Sequence, residues 1–183
     1  MRWSFEPGHT AAEFSARHMM VSIVRGHFKN VAGTLVFDPD DPASSKVEVS
    51  IDAKTLWTGV PERDDHLRSA DFLDVEHHPF IRFKASEVTI VGQEDVKLTG
   101  ALTIRGVTQR ATLEVRSLGA WSTPWWEDGV DKGLKTRAGF LATTRINRHD
   151  FGVSWNSKLD LGGVVVSDEV DIVIDVEAIL EEG

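Results

Sequence analysis

The sequence predicts an all-β protein, an antiparallel sandwich or closed barrel of about eight strands interrupted by one long crossover. Three observations predict it. Valine, isoleucine and threonine supply 43 of the 183 residues (21, 9 and 13), an enrichment in β-branched side chains that suits pleated surfaces. Apolar residues recur with period two in several windows, with no alternation of strand and helix patterns to suggest a parallel sheet. One polar stretch, 56–79, is too long for a hairpin loop.

In chain order, a strand is expected at 10–18, with Ala12, Phe14, Ala16 and His18 on one face. Windows 21–28 and 30–38 also read as strands, but apolar residues occupy both parities, so their faces stay unassigned. Asp38-Pro39-Asp40-Asp41 lacks calcium-loop spacing and reads as a β-turn. The plainest alternation is at 46–53, where Val47, Val49, Ile51 and Ala53 oppose Lys46, Glu48, Ser50 and Asp52. Within the crossover, 64–75 sets Leu67, Ala70, Phe72 and Leu73 at loose helical spacing, predicting a short helix or an irregular connection. Strands follow at 80–91, at 95–105 (Val96, Leu98, Gly100, Leu102 and Ile104 inward) and at 110–116 (Ala111, Leu113 and Val115). The next are at 134–146 (Leu134, Ala138, Phe140, Ala142 and Ile146) and 169–178 (Val170, Ile172, Ile174 and Val176). Between them, GAWSTPWWEDGVDKG at 119–133 reads as a turn-rich loop. Its Trp121, Trp125 and Trp126 either fold back onto the sheet or form an apolar lip around a cavity mouth or partner surface.

Net charge is −9, and residues 168–183 hold seven acidic and no basic residues. Without those seven the chain is close to neutral, so no basic stripe exists to neutralise a phosphate backbone, and nucleic-acid binding is not expected. The acidic run alternates with Val170, Ile172, Ile174 and Val176, which makes it the solvated face of a strand. With no cysteine, disulfides, thiolate metal sites and cysteine nucleophiles are excluded. No apolar run approaches the ~20 residues of a membrane-spanning helix, and the start MRWSFEPGH has no signal-peptide core. The expectation for the sequence as it stands is a cytoplasmic protein, or a periplasmic or extracytoplasmic one if a leader was removed.

Chemistry-bearing candidates are few. The segment Arg63-Asp64-Asp65-His66-Leu67-Arg68-Ser69 holds an Asp and His that could act as a general acid–base pair, or that hold the crossover in place by pairing. His77 and His78 on an extended segment point to opposite sides, so no metal site is expected there. His18 shares the parity of Phe14 and Ala16. It is either a hydrogen-bonded core residue or, in a hollow interior, the fixing point for a ligand head group. Serine-hydrolase elbows, zinc helices, P-loops and dinucleotide fingerprints are absent.

Six segments occur in an order that resembles the YceI-like family: WSFEPGHTAAEFSARH (3–18), Gly26-His27-Phe28, IDAKTLWTG (51–59), RDDHLRSADFLDVEHHPFIRF (63–83), LTGALTIRGVT (98–108) and RHDFGVSW (148–155). The resemblance covers nearly the whole chain, residues 1–183 read as one domain. It implies an extended eight-stranded antiparallel lipocalin-like β-barrel with a short helical crossover insertion, enclosing an elongated apolar pore. It implies a long-chain isoprenoid lipid as partner (a polyprenyl phosphate, an isoprenoid quinone or a similar amphiphile), no cofactor besides that lipid, and no metal. On this reading Phe14, Val49, Ile51, Ile81, Phe83, Leu98, Leu102, Phe140, Ile172 and Ile174 line the pore and His18 meets the head group. Arg63, Asp65, His66, Leu67 and Phe72 brace the crossover that closes one end. The alternatives are an enzyme acting on a bound lipid through His18 or His66, and a side-chain-filled barrel serving as an interaction module. The Trp-rich loop would suit a homodimer or a transient membrane contact.

Overall fold

The computed structural model describes residues 1–37 and 41–181. Among the described residues there are ten strands: β1 (Arg2–Phe5), β2 (Ala11–His18), β3 (Ser22–Phe28), β4 (Val31–Val36), β5 (Lys46–Asp52), β6 (Phe80–Ile90), β7 (Asp95–Ile104), β8 (Val107–Glu127), β9 (Val130–Asn147) and β10 (Glu169–Leu180). They form one antiparallel sheet in the order β1-β4-β5-β6-β7-β8-β9-β10-β2-β3, and β1 also pairs with β10. β1 lies against residues 178–180 of β10 and β2 against residues 171–175 of the same strand. β1 and β2 are thus two halves of one barrel position, and their partners β4 and β3 are halves of the next. Ten strands fill eight positions, and the sheet closes on itself as a lipocalin-like antiparallel barrel.

The split strands explain why two windows had no assignable face. Gly26 and Phe28 are buried at the even positions of β3, whereas Val31 is buried at an odd position of β4. The break at Lys29-Asn30, with Asn30 at φ 55°, shifts the phase by one, and the inward side changes parity with it. In the unbroken strands the predicted faces hold: Val47 and Ile51 on β5, Leu98, Leu102 and Ile104 on β7, and Leu113 and Val115 on β8 are all buried. The turn expected at 38–41 lies, apart from Asp41, outside the described residues.

Two expectations are corrected. The crossover helix is α1 (Pro61–Arg68), which starts three residues before the expected window and ends before Ala70, Phe72 and Leu73. Pro61 at the first helical turn presets the backbone there, and the Ser69 N–H closes the helix onto Asp65 and His66 carbonyls. The segment 119–133 is not a loop. β8 and β9 run on as a hairpin whose turn is Asp128-Gly129, both residues in the left-handed region (φ 51° and 77°), as a two-residue type I′ connection requires. Leu134, expected inward, is 67% exposed, because it lies on this extension beyond the barrel wall. No helix among the described residues is long and apolar enough to cross a membrane.

Candidate functional site

Inward alternation on eight staves lines the barrel with apolar side chains that do not fill it. A cavity of about 180 Å³ occupies the inner end, towards the crossover, and one of about 380 Å³ occupies the outer end. Val49, Phe83, Leu113 and Ile174 border both, so the chambers meet at a shared waist. Among the sequence-derived pore residues, Phe14, Ile51, Ile81, Leu102 and Ile172 line the inner chamber, and Leu98 and Phe140 the outer. Val49, Phe83 and Ile174 lie at the waist. His18 lines neither. It sits at the far end of β2, where its backbone bridges Val166, and Phe14 and Ala16 of the same strand line the inner chamber instead.

The crossover over the inner end is tied mainly to itself. The Asp64 carboxylate, 4% exposed, accepts from the Thr58 N–H (2.8 Å) and the Thr58 hydroxyl (2.5 Å). Arg63 donates to the same hydroxyl (2.7 Å) and to the Thr58 carbonyl (3.1 Å). Arg68 donates to the Lys54 carbonyl (3.1 Å) and to the Leu56 carbonyl, and pairs with Asp65 at 3.2 Å. His66 meets Asp71 at 2.9 Å, and its ring stands edge-on to Phe72 and Trp155. Only the apolar members, Leu67 and Phe72, border the chamber. The polar atoms of this motif go to backbone and neighbouring side chains within the connection; Asp64 is its buried member, whereas Asp65 is exposed.

Sequence reasoning missed Asp64 and Arg148 as individual residues. Arg148 follows β9 and is 4% exposed. Its guanidinium donates to the carbonyls of Ser167 (2.8 Å), Val153 (2.6 Å), Trp155 (2.9 Å) and Val166 (3.3 Å). Burial pushes its pKa below the usual arginine value, and the nearby Asp168 opposes that shift. It gathers the 148–155 and 166–167 segments into a lid over the inner chamber. Nothing in RHDFGVSW signals that burial, since the four acceptors are backbone atoms.

The outer chamber is bordered by Trp3, Phe37, Ser45, the turn at Gly92-Gln93-Glu94, and Ser117, Gly119 and Ala120. Beyond this rim β8 and β9 project as a two-stranded arm, since β7 pairs β8 only as far as Arg116 and β10 pairs β9 only from Arg137. The tryptophans of this arm differ in exposure, and neither Trp121 nor Trp126 borders a chamber. Trp125 lies back under Lys135 and Arg137, at 4.8 and 5.2 Å, whereas Trp121 and Trp126 are 60% and 61% exposed. At the opposite end of the crossover, His77 Nδ1 pairs with Asp74 at 2.9 Å. That bond raises His77 above the usual imidazole value of 6.5 and holds Asp74 below the usual 3.8. No group of three or more potential metal ligands exists among the described residues.

Comparison with known proteins places this architecture. Residues 3–178 match the model of the YceI-like domain. Protein YceI of Escherichia coli O17:K52:H18 is 40% identical over 177 residues, covering 97% of this chain and 85% of the relative. The crystal structure of the Campylobacter jejuni YCEI protein superposes with a TM-score of 0.72 at 30% identity, over 91% of this chain and 90% of that one. A polyisoprenoid binding domain from Saccharophagus degradans shares the fold at TM-score 0.66 and 12% identity, covering 98% of each chain. The chain belongs to the YceI-like domain family.

Proposed function

We propose that this protein binds and carries a long-chain isoprenoid lipid in the barrel interior. The observation that carries the reading is an apolar, two-chambered space enclosed by a closed barrel and left unfilled by its own side chains. β10 is twelve residues long and spans about 40 Å at ~3.4 Å per residue, a length suited to an extended chain of several isoprene units. At about 0.8 kcal/mol per buried methylene, such a chain gains more than real affinities show, and the cost of ordering it offsets the excess. The related fold of a domain described as polyisoprenoid binding supports the same ligand class. We read the chain as a binding protein rather than an enzyme, since Asp65, His66 and Asp71 turn their polar atoms away from the chamber and His18 lies outside it. Adding long-chain isoprenoids to delipidated protein tests this: saturable binding with one lipid per chain is expected, and no uptake overturns the reading.

The arm at the outer rim suits exchange with a lipid surface. Residues 117–137 carry three acidic and three basic residues in a chain of net charge −9, so this part approaches a membrane with little repulsion. Trp121, Trp126 and Val130 are exposed on it, and indoles favour the membrane–water interface. Pro124 and the register shifts at Ser117/Gly119 and Pro124/Trp126 interrupt the free edge, which disfavours strand addition by a second copy.

A further inference from the structure

We infer that the hairpin joining β2 to β3, together with the turn at 158–164, is a docking tip for an anionic lipid surface, at the opposite end of the barrel from the arm. The inference does not rest on what the barrel encloses. Ala16 of β2 and Val166 line the inner chamber, and the hairpin runs on past them to a turn centred on Met19 and Met20. Both residues lie in the left-handed region, at φ 51° and 65°, and the Val21 N–H closes the turn onto the His18 carbonyl at 3.1 Å. This is type I′ geometry, which asparagine and glycine adopt readily and methionine does not. Strain kept at one point of a fold is a reason to look for a use of the side chains placed there.

Those side chains are apolar and face solvent. Met19, Met20 and Ile23 are exposed, and Val21 is 81% exposed. Leu161 stands fully exposed on the adjoining turn, which the Lys158–Val164 bridge closes. The two segments form one knob: the Met19 N–H donates to the Val165 carbonyl at 2.9 Å, and a Cβ at Gly163 would meet Met20 Cγ at 2.9 Å. The chemistry of the partner follows from the cations beside it. Arg17 is paired with Ile23 across the hairpin, Arg25 shares their face, and Lys158 lies on the turn, all three exposed. None of them has an ion pair or side-chain hydrogen bond among the described residues. On the adjoining β10, Glu169 and Asp171 are both taken by Arg145, at 3.4 and 2.6 Å. Asp160 offsets Lys158 on the turn, which leaves Arg17 and Arg25 as excess positive charge. Residues 14–37 contain no acidic residue in a chain of net charge −9. Apolar side chains at an apex with unpaired cations beside them suit insertion between lipid head groups, where the cations meet phosphate.

Co-flotation tests this with vesicles of phosphatidylcholine alone and of phosphatidylcholine and phosphatidylglycerol in equal parts. The background is Trp121→Ser with Trp126→Ser, so that the arm does not contribute. Binding to the anionic vesicles is expected to be at least ~10-fold tighter than to the neutral ones at low salt. It should disappear in 1 M salt, where the Debye length falls to about 3 Å. Arg17→Gln with Arg25→Gln should weaken it ~10- to 25-fold, at about fivefold for each cation near the surface. Val21→Ser with Leu161→Ser should weaken it about tenfold. Met19→Asn with Met20→Gly supplies the residues that the turn prefers, so it should raise Tm while weakening flotation, and its loss of binding is then not a loss of fold. Failure of the background protein to float with anionic vesicles, flotation that persists in 1 M salt, or undiminished flotation of the three tip variants would overturn the inference. Each of those results leaves the carrier reading untouched, because binding of solubilised isoprenoid is measured without vesicles.

Discussion

Replacing Arg148 by methionine keeps much of the apolar stem and removes the guanidinium from beneath the lid. The carbonyls of Val153, Trp155 and Ser167 then lose the donor they share, whereas that of Val166 keeps the Asn156 side-chain amide at 2.8 Å. Orphaning a buried acceptor costs ~1–3 kcal/mol, and carbonyls lie towards the low end because they are the more tolerant partner. Relief from burying a cation offsets part of the loss. A net destabilisation of about 2–3 kcal/mol is expected, which for a chain of this length corresponds to a fall of roughly 4–12 °C in Tm. Denaturant unfolding measures the first and calorimetry the second. Arg148→Lys should recover less than half, since an ammonium has three donors and lacks the planar fork that spans these acceptors. A loss below about 1 kcal/mol, or full rescue by lysine, would refute the claim that this side chain holds the lid together.

Three further outcomes follow. A Cβ at Gly26 would meet the Phe14 ring at 2.5 Å and Thr58 Cγ2 at 2.8 Å, so Gly26→Ala should push Phe14 into the inner chamber. It should cost about 1–3 kcal/mol by overpacking and shorten the longest isoprenoid the protein accepts; unchanged chain-length selectivity in a binding assay would count against the chamber as the tail site. The raised His77 contributes stability that is complete below the unfolded imidazole value of 6.5 and is lost as pH rises through its folded value. The lowered Asp74 contributes stability that is present above 3.8 and lost as pH falls through its own folded value. The pair therefore acts between those two limits, and NMR titration should show His77 returning towards 6.5 in Asp74→Asn, with no return meaning that the bond is not the cause. On the arm, Trp121→Ser with Trp126→Ser should lower co-flotation with zwitterionic vesicles about tenfold or more while leaving binding of solubilised lipid unchanged. Undiminished flotation, or a wild-type dimer dissociated by the two changes, would move the arm from membrane docking to self-association.

Strand alternation made the barrel legible wherever a strand was continuous. Val47, Val49 and Ile51, or Ile172 and Ile174, needed only period two to be placed on the lining side. It failed where the phase changes without a long loop, as at Asn30 with its left-handed backbone. The arm was also legible in principle, since Asp128-Gly129 is a strong hairpin signal, but three tryptophans and a proline obscured the alternation around it. The crossover motif announced itself by density of charge without showing who pairs with whom. Asp65 turned out exposed at the surface, and its neighbour Asp64 is the buried anchor. Arg148 was hidden because what makes it notable is a set of tertiary neighbours, the backbone carbonyls that gather around its guanidinium.

The most direct test of the carrier account is native mass spectrometry of the protein purified from its own host, with the released small molecule identified after extraction into organic solvent. The account predicts one bound molecule per chain with the mass of a long-chain isoprenoid. A chain that flies empty and takes up no added isoprenoid would contradict it, and the function would then lie on the barrel's outer surface.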